Sequence, residues 1–398
     1  MLTDREVRRR SLAWLLPLLT ASLPKRRFAP RILRGVGDLL LRAAAAHYSI
    51  ARARARSRRG PSERTGQRVL QQLDRRKTQR AVTLALRKQA RRFVPPHPVD
   101  CAIDFHEIPY YGTAIDPKRP QFVKTKEERG THRAYRYASL DIVTRDFRLT
   151  VGLRYLDHRG RLAAVLQDLL RDARATGVRI GRLYLDREFY GYEPLRFLAE
   201  QHLTVITPLR LGSRQRKRWE HGRRSYVTEH LLKDAKGRGA PLRLRIHVVV
   251  RYQKGEKFGK HGCQYLIYAV LGGLSLEARH EVPLPKTHEL YRRRFGIESS
   301  YRVAEQGLPR TCARSVPWRL LYLGLALMLE NEWVILRLQY TSEGRQGPRG
   351  MDVREELLRF DDLLELLFHG VVRALGTVRE IRNPKPPPRR LTRWGMSL

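Results

Sequence analysis

Apolar positions along this chain repeat with two different periods, and the change of period divides it. Up to about residue 95 the spacing is helical: Leu12–Leu23, Ile32–His47 and Val69–Phe93 carry apolar side chains three or four residues apart and predict three helices. Pro95-Pro96-His97-Pro98 ends that pattern as a rigid hinge. From Val99 the apolar residues alternate. Cys101–Ile108, Thr131–Val143 and Phe147–Leu156 read as strands, the last two joined by a short turn around Arg145-Asp146. Leu162–Ala173 returns to helical spacing, with Leu162, Val165, Leu166, Leu169 and Leu170 on one face. A strand Ile180–Asp186, a helix Glu193–Gln201 and a strand Leu203–Leu209 follow. A meander of strands followed by alternating units predicts an α/β fold: a mixed sheet with helices on both faces.

After Pro208 the chain is basic and irregular, then β-like again. Leu242–Tyr252 and Gln264–Leu271 are clear strands and Trp219–Thr228 is a weaker one. Helical spacing resumes near His288 and runs through Tyr291–Gln306, then Arg319–Leu338 and Val353–Leu375. The expected organisation is a helical basic region (1–95), the first part of an α/β core (99–209), a β-rich insertion (210–285), the second part of the core with C-terminal helices (286–376), and a basic Pro-rich tail (377–398). Leu12–Leu23 after Arg8-Arg9-Arg10 superficially resembles a signal peptide, but Asp4 and Glu6 precede it and Pro17 interrupts it, so it is read as part of the fold. Leu320–Leu329 is ten residues of apolar chain ended by Glu330 and Glu332. That is too short to span a bilayer and reads as a buried helix, so no membrane association is expected.

Charge identifies the class of partner. The chain has 80 Lys and Arg against 39 Asp and Glu, a formal charge of +41 over 398 residues. Such self-repulsion opposes folding unless a polyanion neutralises it. Of the basic residues 66 are Arg, whose planar fork suits phosphate. About half the excess lies before Pro95, where 25 basic residues meet 5 acidic ones. Arg52, Arg54, Arg56 and Arg58 in Ala51–Gly60 form a basic connector or arm, a candidate contact to DNA phosphates. A second basic stretch, 210–260, holds 16 Lys and Arg against 4 acids. Three cysteines, Cys101, Cys263 and Cys312, lie far apart, without zinc-ligand spacing, so neither a disulfide framework nor a zinc site is expected, and a cytoplasmic location is.

Three carboxylates stand out against these apolar and basic elements. Asp104 lies within the strand Ala102-Ile103-Asp104-Phe105-His106, where a charge is costly without a partner. Asp186 closes the strand Leu183-Tyr184-Leu185, a place where α/β folds put working groups. It stands several residues too early to cap the helix near Glu193, and its neighbours Arg187 and Glu188 are rival candidates. Glu298 belongs to a series, Tyr291, Arg294, Glu298, Tyr301 and Glu305, spaced to fall on one stripe of a helix. Such a stripe is unlike a core, and a salt-bridged surface face is its bland alternative. Three carboxylates converging in a cationic protein suggest metal-assisted chemistry on a polyanion. His106 shares the face of Asp104, as an outer partner, a proton carrier or a satisfied structural histidine.

A strand Asp, a strand-end Asp and then Tyr-x2-Arg-x3-Glu on a helix resemble the DDE transposases of bacterial and archaeal insertion sequences, in the branch with the Tyr-Arg-Glu-Lys signature. Tyr291, Arg294 and Glu298 match its first three positions, and Asp186-Arg187-Glu188-Phe189-Tyr190-Gly191 resembles its second-aspartate motif. The fourth position, Lys in the family, is Glu305 here, with Arg302 one turn beyond Glu298 as a substitute cation. The resemblance covers about residues 99–340. It implies an RNase H-like core whose first and fourth strands lie side by side, with a β-rich insertion before the glutamate helix. It further implies that Asp104, Asp186 and Glu298 are catalytic and hold two Mg²⁺ ions, or Mn²⁺ in their place, and that Tyr291 and Arg294 contact the DNA backbone. The implied reaction is cleavage at the ends of an insertion sequence and transfer of the 3′-OH into target DNA by a homodimer. The competing readings are a non-catalytic, decayed DNA-binding protein and a plain metal-dependent nuclease of the same fold.

Overall fold

The computed structural model describes residues 2–24, 28–128, 130–157, 161–235, 237, 239–252, 263–272, 282–344 and 351–378. The basic tail expected at 377–398 lies, beyond residue 378, outside the described residues. Helix α1 (Asp4–Ser22) begins at Thr3, whose side chain accepts the Glu6 N–H, and buries Leu12, Leu15, Leu18 and Leu19. The signal-like stretch is therefore core. Helix α2 (Pro30–Ala45) takes Pro at its first position, where the missing N–H costs nothing. The expected connector Ala51–Gly60 instead begins as a short helix, α3 (Ile50–Ala55), capped by Ser49 and anchored by buried Ile50 and Ala53. The single helix expected over Val69–Phe93 is two, α4 (Glu63–Gln71) and α5 (Arg75–Ala90). The break is at Asp74, whose carboxylate accepts the Lys77 N–H at 2.8 Å and starts α5 afresh.

The sheet contains β1 (Val99–Pro109), β2 (Val123–Glu128), β3 (Thr131–Val143), β4 (Arg148–Leu156), β5 (Ile180–Leu185), β6 (Thr204–Pro208), β7 (Tyr226–Leu232), β8 (Leu242–Tyr252) and β9 (Cys263–Leu271). Its order is β2-β3-β1-β5-β6-β9-β8-β7, with β4 also on β3. Strands β1, β5 and β6 pair in parallel and the other pairs are antiparallel, so the sheet is mixed as expected. β2, with four Lys or Glu among six residues and little burial, gave no apolar alternation to read. The β-rich segment continues the core sheet, because β9 pairs with β6. Within it, Trp219 ends a short helix, α8 (Ser213–Trp219), and the weak strand starts later, at Tyr226.

Helices α6 (Leu162–Thr176) and α7 (Tyr192–Glu200) cover one face, where Leu166, Leu169, Leu195 and Leu198 join Cys101, Ile103, Leu183 and Leu185. The other face meets α9 (Thr287–Arg292), α10 (Phe295–Gln306) and α11 (Val316–Tyr340). The continuous helix expected over Tyr291–Gln306 is thus divided around Arg293-Arg294. In α11 the run Leu320–Leu329 is buried, and Glu330 and Glu332 end the apolar run but not the helix. After a small hairpin, β10 (Ser342–Gly344) and β11 (Met351–Val353), α12 (Phe360–Leu375) starts later than the expected Val353. Among the described residues no helix is long and apolar enough to cross a membrane, and the three cysteines are unpaired.

The N-terminal helices are built into this body. α1, α2 and α5 share one apolar core with α11 and α12. The approach of α5 to α11 requires Gly324: a Cβ there would lie 2.7 Å from Val82 Cγ1. Gly324→Val is expected to lose about 1–3 kcal/mol by overpacking, measured as a lowered denaturant midpoint; an unchanged midpoint would mean that the two helices separate freely.

Candidate active site

Strand pairing brings two of the three carboxylates together. In the parallel ladder of β1 and β5, Ile103 lies opposite Leu185, so the next residues, Asp104 and Asp186, are neighbours across the strands. Asp186 also accepts the Glu188 N–H at 3.4 Å and so caps a 3-10 turn, Arg187–Phe189; the capping role excluded for the helix near Glu193 applies to this nearer turn. Of the rival acids, Glu188 is engaged elsewhere, paired with Arg136, which also bonds Glu107 at 2.8 Å. Glu298 is in the first turn of α10.

One guanidinium connects all three. Arg294 Nη1 bonds Asp104 Oδ2, while Nη2 lies 3.2 Å from Glu298 Oε1 and 4.0 Å from Asp186 Oδ1. The side chains of Arg294 and Asp104 are 7% and 8% exposed, those of Asp186 and Glu298 22% and 45%, so the cluster is buried at one end and open at the other. Burial raises the Asp104 carboxyl to about 7; Arg294 pulls it down, and the charges of Asp186 and Glu298 push it up again. Arg294 is itself buried, which disfavours its charge, but the three carboxylates and Tyr291 outweigh that and hold its proton more firmly.

The expected helical stripe is largely interior. Tyr291 and Tyr301 are buried, against the expectation that a Tyr-Arg-Glu stripe is unlike a core. The Tyr291 hydroxyl donates to Leu185 O at 3.3 Å, and its ring meets Tyr268 and Phe295. Tyr291 and Arg294, expected at the DNA backbone, thus spend their polar atoms inside the protein. Arg302 is exposed on α10. In the basic run Arg52 is exposed over the Tyr48 ring and Arg58 is exposed, while Arg54 and Arg56 are half-buried. That run is fastened to the chain's C-terminal side: Ser57 pairs with Thr377, and Val378 N donates to Arg56 O at 3.1 Å. His106 stacks on Tyr301 at 4.5 Å, with Nε2 3.8 Å from Glu305, and burial lowers its pKa to about 4. It is a packed neutral imidazole.

Sequence reasoning missed a further buried carboxylate beside the cluster, Asp141 of β3, although Leu140-Asp141-Ile142 carries the same signal as Asp104, an acid inside an apolar strand. Asp141 accepts from Ser139 at 2.5 Å and from Thr150.

Carboxylate oxygens are the donors that hard divalent cations prefer, and these three face one shared positive group, so their chemistry fits such ions. In the present arrangement the guanidinium stands among them, and among the described residues no three His, Cys, Asp or Glu side chains are close enough to enclose an ion. Ion binding therefore requires Arg294 to move away. It also requires Asp104 to be ionised, so divalent affinity is expected to fall as pH drops, because burial already favours the protonated carboxyl. The stability sign is opposite. The raised pKa means that protonated Asp104 favours the folded chain, fully below about 4, and that this contribution is lost as pH rises toward about 7. Unfolding followed from pH 4 to 8 should show that loss, with a shallower slope in Asp104→Asn; equal slopes would refute the assignment.

No protein of curated function matches the chain. The family model described as the transposase DDE domain matches residues 97–329, more than half of the chain and a span that contains Asp104, Asp186 and Glu298. With a mixed α/β sheet of RNase H-like character and that match, the chain belongs to the DDE transposase family, DNA-binding enzymes of the nuclease and transferase type that generally use divalent metal ions.

Proposed function

We propose that this chain cuts DNA at the ends of an insertion sequence and transfers the resulting 3′-OH into target DNA, through Asp104, Asp186 and Glu298. The observation that carries the proposal is the convergence of these acids, from two parallel strands and a distant helix, on the one guanidinium of Arg294. When bound, two Mg²⁺ ions (or Mn²⁺) supply Lewis acidity at the scissile phosphate. Asp104 and Asp186 form the inner wall of the site, fixed by the β1–β5 ladder. Glu298 closes it from α10 and, being half exposed, faces the side from which DNA arrives.

Arg294 neutralises the carboxylates before DNA binds and turns to a backbone phosphate when it does, in line with the Tyr-Arg-Glu branch of the family. Tyr291 holds the strand end that carries Asp186 through Leu185 O. Exposed Arg52, Arg58 and Arg302 contribute phosphate contacts, with half-buried Arg54 and Arg56 supporting the segment that presents the first two. The working complex is a homodimer on two element ends, in the cytoplasm, with the helices of 1–95 gripping terminal DNA and the β-rich segment adding contacts.

The test uses the purified chain, Mg²⁺ and the DNA that flanks its coding region. Cutting at element ends followed by joining to a target supports the proposal. Cutting without joining would reduce it to a nuclease, and salt-sensitive DNA binding without any Mg²⁺-dependent cleavage would overturn it.

A further inference from the structure

Behind the acidic cluster, a chain of hydroxyls ties the glutamate helix to the aspartate strand. Asp104 lies opposite Ser139 in the antiparallel pairing of β1 with β3, so the two share a sheet face, and Asp141, two residues on, shares it too. The β3–β4 register shifts between Leu140 and Asp141, an irregularity of the kind that re-aims side chains. Tyr301 of α10 reaches down to this face. Its hydroxyl lies 2.7 Å from Ser139 Oγ and 3.2 Å from the main-chain carbonyl of Asp104. Ser139 donates to Asp141 at 2.5 Å, and Thr150 donates to the other Asp141 oxygen. Thr150 is itself clasped through its main chain by Asn331 of α11, at 2.9 and 2.8 Å.

The proton directions in this chain are determined. With both Asp141 oxygens accepting, Ser139 has given its one proton away and must accept from Tyr301. The one Tyr301 hydroxyl proton is then spent on Ser139 of β3, and the 3.2 Å approach of the Tyr301 oxygen to the Asp104 carbonyl is the longer, secondary contact. Tyr301 stands one helical turn after Glu298, so whatever fixes its height and rotation fixes those of Glu298. An apolar contact would leave α10 free to slide, because dispersion is non-directional; a buried hydroxyl without a partner is costly, so the helix stays where the bonds form.

We propose that Tyr301 is a positioning residue for the acidic cluster: through Ser139 and Asp141 it holds α10 at the height where Glu298 meets the Arg294 guanidinium shared with Asp104 and Asp186. This rests on the reading that those three acids hold divalent ions. The test is Mn²⁺ affinity of the full chain, by titration against the Mn²⁺ electron-spin signal, beside its unfolding curve. Tyr301→Phe keeps the ring on His106 and removes only the hydroxyl; Ser139→Ala breaks the next link. Each is expected to weaken Mn²⁺ binding about tenfold, the usual effect of losing a support behind a ligand. The double variant should lose no more than either single one, with DNA affinity at fixed salt retained. Mn²⁺ affinity equal to wild type in both variants, or a loss that merely follows a lowered unfolding midpoint, overturns the proposal while leaving the acid assignment intact. A wild-type chain whose Mn²⁺ binding is unaffected by Glu298→Gln and Asp104→Asn overturns the acid assignment and this inference with it.

Discussion

Asp104→Asn, Asp186→Asn and Glu298→Gln should each abolish strand cleavage while DNA binding persists. On the proposed function the acids work only together, so each single change is expected to remove the function of the set, and a double variant should be no worse than a single one. Charge stabilisation at the phosphate by divalent ions is worth several kcal/mol, and each 1.36 kcal/mol is tenfold in rate, so a loss on the order of a thousandfold or more is expected. DNA affinity should hold or rise slightly, since each change removes one negative charge from a chain of +41. Single-turnover cleavage measured beside DNA affinity decides this. Metal-dependent cleavage surviving in Glu298→Gln would remove Glu298 from the site and leave the two aspartates.

Arg294→Ala should destabilise the chain severely and make its stability depend on divalent ions. Arg294 is buried and bonds buried Asp104. Breaking such a pair leaves an uncompensated buried charge and costs about 3–5 kcal/mol. Asp186 and Glu298 would then face Asp104 with no cation between them, an arrangement that attracts a divalent ion. The variant's unfolding midpoint should therefore rise with Mg²⁺ or Mn²⁺ much more than that of wild type, by about 2.7 kcal/mol at a hundred times the dissociation constant. Arg294→Lys should fall between, because a compact ammonium cannot fork between carboxylates on three elements. An Arg294→Ala chain as stable as wild type and indifferent to divalent ions would show that the three acids do not need a shared counter-charge.

Much of the candidate site was readable because it violates local patterns. A carboxylate inside Ala102–His106 and another at the end of Leu183–Leu185 interrupt strands that are otherwise apolar, and such interruptions are visible without any neighbour. The Glu298 stripe was readable through its spacing, but its burial was not. Tyr, Arg and Glu at helical intervals suit a wet salt-bridged face and a buried polar network equally well; what covers them comes from β1, β5 and β9, far away in the chain. The same limit applies to the basic run at Arg52–Arg58. Its charge suggested a basic connector or arm, yet Ala53 and Ser57 are buried and the run is bridged to Thr377, more than 300 residues later.

Composition and periodicity alone point to a polyanionic partner for a cationic chain, an α/β fold, most of its strands and three candidate acids, because charge and side-chain alternation are properties of short stretches. That Asp104 neighbours Asp186 is a matter of strand register, and that Glu298 shares the Arg294 guanidinium with them depends on how α10 seats against β1. Register and seating arise from contacts between residues 82 and 112 positions apart, where burial and hydrogen-bond satisfaction select one arrangement among many that local sequence permits equally.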